Sequence, residues 1–271
     1  MPELPEVETT RKGIEPHLLE QRIAQVIVRE RRLRWHIPEA IEDALTGQHI
    51  LAVNRRGKYL LLKTGNGTAI LHLGMSGSLR ILPDDTPAKP HDHVDIVLAN
   101  EMLLRLRDPR RFGALLWTDE DPARHPLLAK LGPEPFSDSF VGDYLYKLAH
   151  KRRLPVKAFI MNSRVVVGLG NIYANEALHA AGIHPARAAG RISKARYAAL
   201  ADASRSVLRH AIAKGGTSLR DFLKEDGTPG YFQMELQVYG RRGENCPRCK
   251  TPIEHAFIGQ RSSYFCPRCQ R

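Results

Sequence analysis

Apolar positions recur at two different periods along this chain, and the change between them divides it. Val7, Thr10, Ile14 and Leu18 fall three to four residues apart, so a helix is predicted to follow Pro5. Strand signals then dominate to about residue 117. The runs Ile23–Val28, Ile50–Val53, Tyr59–Lys63, Ala69–Leu73, Ser78–Leu82, Val94–Leu98 and Leu103–Leu106 are short and rich in branched residues. Gly65-Asn66-Gly67 and Ala99-Asn100-Glu101 read as hairpin turns between them. An antiparallel sandwich is the natural packing for such a set.

Gly132-Pro133-Glu134-Pro135 reads as a linker, and beyond it the period turns helical. Phe140, Val141, Tyr144, Leu145 and Leu148 form one stripe; Tyr197, Leu200, Ser204, Val207, Leu208, Ala211 and Ile212 form another. Ser193 is placed to cap the second helix and Gly215-Gly216 to end it. Gly168-Leu169-Gly170-Asn171 opens a further helix that runs through Leu178 and closes near Gly182. The expected division is 2–131 for the sandwich, 132–136 for the linker, 137–240 for the helical part and 241–271 for a C-terminal hairpin. The fold class is α+β, and no internal repeat is visible.

The chain has 271 residues, enough for two modest domains, and 42% hydrophobic content is ordinary for a globular protein. No apolar run approaches the roughly 20 residues needed to cross a bilayer. The acidic, proline-containing start is unlike a signal peptide, so a soluble cytosolic protein with no membrane partner is expected. Lys and Arg outnumber Asp and Glu by 41 to 29, a net charge of +12. That excess favours polyanions. The basic residues sit in loops such as Arg29–Arg34 and Arg107–Arg111 and not along one helix face, so nucleic acid is favoured over a lipid surface.

All four cysteines lie in the last 26 residues, as Cys246-Pro-Arg-Cys249 and Cys266-Pro-Arg-Cys269. Two paired knuckles at this spacing match a structural zinc ribbon; two disulfides are the alternative, disfavoured in a reducing compartment. Four thiolates leave one bound zinc no open position, so the metal holds a fold and performs no chemistry.

Candidate chemistry lies at the other end, in Met1-Pro2-Glu3-Leu4-Pro5-Glu6-Val7-Glu8. Removing Met1 would expose the ring nitrogen of Pro2 as a secondary amine, with the carboxylates of Glu3 and Glu6 close by. An N-terminal amine has a pKa of about 8, so a useful neutral fraction exists near neutrality. Attack on a carbonyl-like carbon gives a Schiff base; from a secondary amine it is an iminium that keeps its charge as an electron sink. Alone, Pro2 reads far better as a residue that affects processing and starts a helix; the rest of the chain reverses that order.

Taken together, these features resemble the bacterial formamidopyrimidine-DNA glycosylases. The matches run from Pro2-Glu3-Leu4-Pro5-Glu6-Val7-Glu8-Thr9 through Leu71-His72-Leu73-Gly74-Met75-Ser76-Gly77 and Asp108-Pro109-Arg110-Arg111-Phe112-Gly113. They continue with 168–174 and Gln237-Val238-Tyr239-Gly240-Arg241 to the four cysteines, in the family's order over essentially the whole chain. The resemblance implies an N-terminal helix with a β-sandwich, a helix–two-turns–helix domain and a zinc-ribbon hairpin. It implies a monomer in the bacterial cytoplasm, associated with the nucleoid, and a base-excision-repair enzyme acting on duplex DNA that carries oxidised purines or abasic sites. Such enzymes evert 8-oxoguanine or a formamidopyrimidine from the duplex, release it and cut the strand by β,δ-elimination.

By resemblance, Pro2 is the nucleophile, Glu3 the general acid/base, Glu6 a supporting carboxylate, and Lys58 a cation beside the reacting sugar and phosphate. Met75, Arg110 and Phe112 are implied to fill the space left by the everted base; taken alone they read as two core residues and a surface arginine. Asn171, Lys157, Tyr239 and His72 are implied DNA contacts, and Arg261 is expected at the hairpin turn on the DNA backbone. His91 reads, with His93, as structural or DNA-facing. Thr217 and Arg220 match a loop over the everted base, but the family often has lysine where this chain has Arg220, so no base contact is assigned there. Two alternatives stand beside this: an endonuclease VIII-like enzyme for oxidised pyrimidines, whose start is Pro-Glu-Gly-Pro instead, and a zinc-containing DNA-binding protein without catalysis.

Overall fold

The computed structural model describes residues 2–216 and 235–271. Among these the chain divides into two compact units, one grouping 2–129 with 214–216 and the other 130–213 with 235–271.

The first unit begins with helix α1, Leu4–Leu18, slightly earlier than the spacing after Pro5 suggests. The early start has a local cause. Glu3 and Glu6 form a reciprocal capping box, in which the Glu3 N–H donates to Glu6 Oε2 at 2.8 Å and the Glu3 side chain accepts from the Glu6 backbone. Pro5 lies in the first turn, where no N–H is needed. Pro16 lies in the last turn, and the helix stops two residues later. The buried stripe Leu4, Val7, Thr10, Ile14 and Leu18 faces strands β2 (Ala52–Arg56), β3 (Tyr59–Lys63) and β5 (Ser78–Pro83). Leu4, Ile14 and Leu18 are fully buried, each worth about 2 kcal/mol by area removed from water.

Two four-stranded antiparallel sheets make up the rest. One runs β1 (Ile23–Val28), β6 (Asp92–Leu98), β7 (Met102–Arg107), β5; the other runs β2, β3, β4 (Thr68–His72), β8 (Ala114–Thr118). Strand β2 starts two residues after the predicted Ile50, because the Ile50 backbone is committed elsewhere: it donates to Gln21 O at 3.0 Å and accepts from Glu20 N at 2.8 Å. Strand β8 and the five-residue helix α2 (Ile41–Leu45) have no counterpart in the sequence reading, since runs this short show no period.

The second unit is helical: α3 (Gly142–Ala149), α4 (Val156–Ile160), α5 (Asn171–Ala180) and α6 (Lys194–Ala213), followed by the hairpin β9 (Glu254–Ile258) and β10 (Arg261–Phe265). Ser193 Oγ accepts from Arg196 N at 3.4 Å before α6, and Gly215 and Gly216 follow it with φ of 77° and 80°. Of the stripe predicted from Phe140 to Leu148, Phe140 and Leu145 are buried, whereas Val141 and Leu148 are exposed: α3 begins only at Gly142. No described helix is long and apolar enough to cross a membrane.

The sheets also bury charge, and there it is paired. Arg105 donates to Asp95 at 2.7 and 2.8 Å and to the carbonyls of Thr86 and Pro87, while Arg29 reaches the same aspartate at 2.6 Å. Burial pushes the Asp95 carboxyl up, but the guanidiniums of Arg105 and Arg29 outweigh it and hold it below its ordinary value. Glu8 is depressed in the same way, burial being overcome by Arg11 and Arg55. Since the folded values lie below the unfolded ones, this stabilisation is complete above about pH 5 and is lost as pH falls through the lowered values. Urea melts over the acid range should show that loss. Asp95→Asn should flatten the acid limb and cost about 2 kcal/mol at neutral pH, since Arg105 would keep only Asp92, at 3.6 Å, as a counter-charge; an acid limb identical to wild type would dismiss the pair as its cause.

Candidate active site and metal centre

The head of α1 gathers the groups singled out for catalysis. Pro2, Glu3 and Glu6 are all buried, the two glutamates only 3% and 1% exposed. Their positions follow from the buried stripe, which leaves the helix no freedom to slide. Gly216, with φ of 80°, lies against Glu6: a Cβ added there would stand 3.1 Å from Glu6 Oε1.

Lys58 sits on the turn between β2 and β3, after Gly57 at φ 59°. Arg55 ties this turn to α1, its Nε donating to Glu8 Oε2 at 2.9 Å and its Nη1 to Gly57 O at 2.9 Å. The half-buried Lys58 is close enough to act on His72, whose imidazole is held at about 4 by burial first, then by the charges of Lys58 and Arg34. His72 is therefore neutral at pH 7. Its Nδ1 accepts from Gly74 N at 3.0 Å, which puts the ring proton on Nε2 as a donor.

Two loops carry the other implied contacts. Met75 is half-buried and Phe112 is 43% exposed, so neither is the core residue that each suggests alone; Arg110 is exposed, its guanidinium 5.1 Å from the Phe112 ring centroid. The loops interlock. Gly74, at φ 61°, lies so near the Phe112–Gly113 backbone that an added Cβ would stand 2.4 Å from the Phe112 carbonyl carbon. Asp108, fully buried, accepts from Ser76 Oγ at 2.8 Å and from Gly113 N at 2.7 Å, and Ser76 Oγ accepts from Arg110 N at 3.2 Å. Ser76 and Asp108 were not singled out by sequence reasoning; their only signal was membership in the two quoted motifs. His93 is buried and bonds Asp108 O at 2.8 Å, a structural role, whereas His91 is exposed at φ 76°.

In the second unit, α5 starts at Asn171 after Gly170, which has no side chain to cap it. Such a helix start suits an anion. Lys157, an implied phosphate contact, is 1% exposed, and its Nζ donates to Ser262 O and Ser263 Oγ, both at 2.7 Å, beneath the hairpin. Arg261 is exposed and follows the turn at Gly259 and Gln260, whose φ values are 57° and 60°. Tyr239 is half-buried, edge-on to Tyr264 at 5.1 Å. The backbone N–H groups of 237–239 converge on Glu176, which sequence reasoning missed because nothing local marks a buried glutamate. Thr217 and Arg220 lie outside the described residues.

The sulfur atoms of Cys246, Cys249, Cys266 and Cys269 all lie within 4.8 Å of one another. Cys249–Cys266 and Cys246–Cys269 are 3.4 and 3.9 Å apart, too far for a disulfide and close to the roughly 3.8 Å edge of a tetrahedron with 2.3 Å Zn–S bonds. The donor set therefore fits one structural zinc ion, bound by all four. Cys249→Ser should lower zinc content well below one per chain, read by atomic absorption, and unfold the hairpin; full retention of zinc would exclude Cys249 as a ligand.

Comparison with known proteins gives the same picture over the whole length. The formamidopyrimidine-DNA glycosylase N-terminal domain matches residues 1–115, the H2TH domain of the same enzymes matches 131–222, and the zinc finger found in FPG and IleRS matches 243–271. Formamidopyrimidine-DNA glycosylases of Nitrosococcus oceani and Stutzerimonas stutzeri are 60% and 59% identical, with 100% of each chain covered. Among solved structures, the MutM (Fpg) protein of Thermus thermophilus superposes with a TM-score of 0.89 at 38% identity, over 99% of this chain and 98% of that one. The Lactococcus lactis Fpg bound to DNA containing an abasic site gives 0.91 at 34% identity, over 99% of both. Helix, sandwich, zinc hairpin and full-length identity agree, and the chain belongs to the formamidopyrimidine-DNA glycosylase family.

Proposed function

We propose that this protein excises oxidised purines, 8-oxoguanine and formamidopyrimidines, from duplex DNA and cleaves the resulting abasic site, acting as a monomer on the nucleoid in the bacterial cytoplasm. One observation carries the reading: a proline beside two buried carboxylates, at the head of a helix clamped to both sheets of its unit. The four-part division, 2–131, 132–136, 137–240 and 241–271, is kept as the functional layout.

After Met1 is removed, the neutral Pro2 nitrogen attacks C1′ of the damaged nucleotide and the bond from C1′ to the base breaks, the base leaving with the proton that the Pro2 nitrogen sheds. Glu3 protonates the sugar ring oxygen as the ring opens, giving an iminium between Pro2 and C1′. That electron sink acidifies C2′. Loss of a C2′ proton expels the 3′ phosphate, a second elimination expels the 5′ phosphate, and water releases Pro2. Glu6 orders the Glu3 backbone through the 2.8 Å capping bond. Lys58 offsets phosphate charge, and the His72 Nε2–H serves as a neutral donor nearby. Met75, Arg110 and Phe112 occupy the vacated stack, with Arg110 facing the orphaned base. Asn171 at the start of α5, Tyr239 and Arg261 hold phosphates, and Lys157 supports them by holding the hairpin. Thr217 and Arg220 are assigned to the loop over the everted base. The zinc fixes the hairpin and takes no part in bond breaking.

Two measurements test this. Borohydride in the presence of 8-oxoguanine DNA should trap a covalent adduct whose mass lies on the peptide from Pro2 to Arg11; an adduct on Lys58 instead would reassign the nucleophile. DNA affinity should fall steeply with salt, with a slope near 0.9 per phosphate neutralised, and a flat response would remove the phosphate contacts from the account.

A further inference from the structure

Helix α5 has a polar face that the proposed reaction leaves unused. Asn175, Glu176 and His179 are 1%, 3% and 1% exposed, and their spacing puts them on one side of the helix. Each meets a different piece of the chain's C-terminal segment. Asn175 Oδ1 accepts from Tyr264 N at 2.8 Å, on strand β10. Glu176 accepts from Gln237, Val238 and Tyr239 N–H at 2.8, 3.0 and 2.9 Å. His179 Nε2 lies 3.6 Å from Cys246 Sγ, within reach of an N–H···S bond. Arg248, in the same knuckle as Cys246, returns to donate to the carbonyls of His179 and Ala180 at 3.1 and 3.2 Å, binding the C-terminal end of α5.

We propose that His179 donates its Nε2–H to the metal-binding sulfur of Cys246, making α5 an outer support of the zinc site. The inference rests on the four-cysteine zinc reading and goes beyond it. Four thiolates around a divalent ion carry a net charge of −2, and two of these cysteines, Cys246 and Cys266, are fully buried. A buried anion of that kind is stable only where N–H and O–H groups point at its sulfurs. Cys266 Sγ accepts from Cys269 N at 3.4 Å. Cys246 receives His179, which an apolar side chain of the same bulk could replace in packing but not in donating. The donated proton draws charge from the sulfur, so the thiolate is less readily protonated, alkylated or lost from the metal.

The test uses the zinc-loaded full-length protein with His179→Phe and His179→Gln. Zinc release to a chromophoric chelator is followed alongside the thiolate-to-metal charge-transfer band after cobalt(II) substitution. His179→Phe should release zinc about tenfold faster or more and move the cobalt band to lower energy, because a sulfur without its donor is easier to oxidise. His179→Gln, which keeps an N–H donor on a shorter reach, should lie between. Should His179→Phe fail to fold, the glutamine variant still decides through its band position. Unshifted bands in the folded variants, whatever the release rate, would reduce His179 to a packing residue and overturn the proposal. Wild-type protein that takes up no stoichiometric metal would instead overturn the underlying zinc reading.

Discussion

The constraint on which the proposed reaction depends is the immobilisation of the chain's first residues. Termini are ordinarily the most mobile part of a domain, and a nucleophile there would spend most of its time misaligned. Here α1 removes that freedom. Leu4, Val7, Ile14 and Leu18 are held by strands of both sheets, and the Glu3–Glu6 box stops the first turn from fraying. The same helix reaches sideways through Glu8 to Arg55 and on to the Gly57 carbonyl, so the Lys58 turn is set relative to Pro2 by hydrogen bonds of 2.9 Å and not by loop chance. Geometry that favours attack over misalignment is worth several kcal/mol of barrier, and in the proposed reaction this framework is its source before any substrate arrives.

The loops that bear Met75, Arg110 and Phe112 follow the same logic with polar groups. A side chain that fills the vacated stack, as proposed for these three, must stay exposed until DNA arrives, so the core cannot hold it. Its loop is held instead by Asp108, which takes Ser76 and Gly113 while its backbone serves His91 and His93. Glycines at 74 and 113 let the two backbones touch. Exposed residues thus rest on a fully buried hydrogen-bonded base, and loss of a buried acceptor there leaves unsatisfied donors at a cost of roughly 1–3 kcal/mol each. In the second unit, Glu176 performs a comparable task for 237–239, its tendency to rise on burial opposed by the three N–H groups it accepts.

How much of this was legible in the chain differs by element. The α1 stripe, most strands and the helices after Gly170 and Ser193 were readable because each repeats at a fixed period, and periodicity is a local property. The cysteine knuckles were readable because metal coordination fixes their spacing. The short α2, α4 and β8 were not, since five residues carry too little pattern to separate helix, strand and loop. Lys157 shows the limit most clearly. The family resemblance implies a phosphate contact for it, yet its ammonium is bonded to residues 262 and 263, more than a hundred positions away.

By itself, then, the sequence determined the alternation of core and surface, the metal ligands and the candidate nucleophile at the head of the chain, because neighbouring residues or fixed spacings encode them. Only the tertiary structure decided which buried polar groups meet: Asp108 with Ser76, Glu176 with 237–239, His179 with Cys246. A buried polar atom must find a specific partner or lose its hydration without return, and the partner is chosen by how distant segments pack, which no local pattern records.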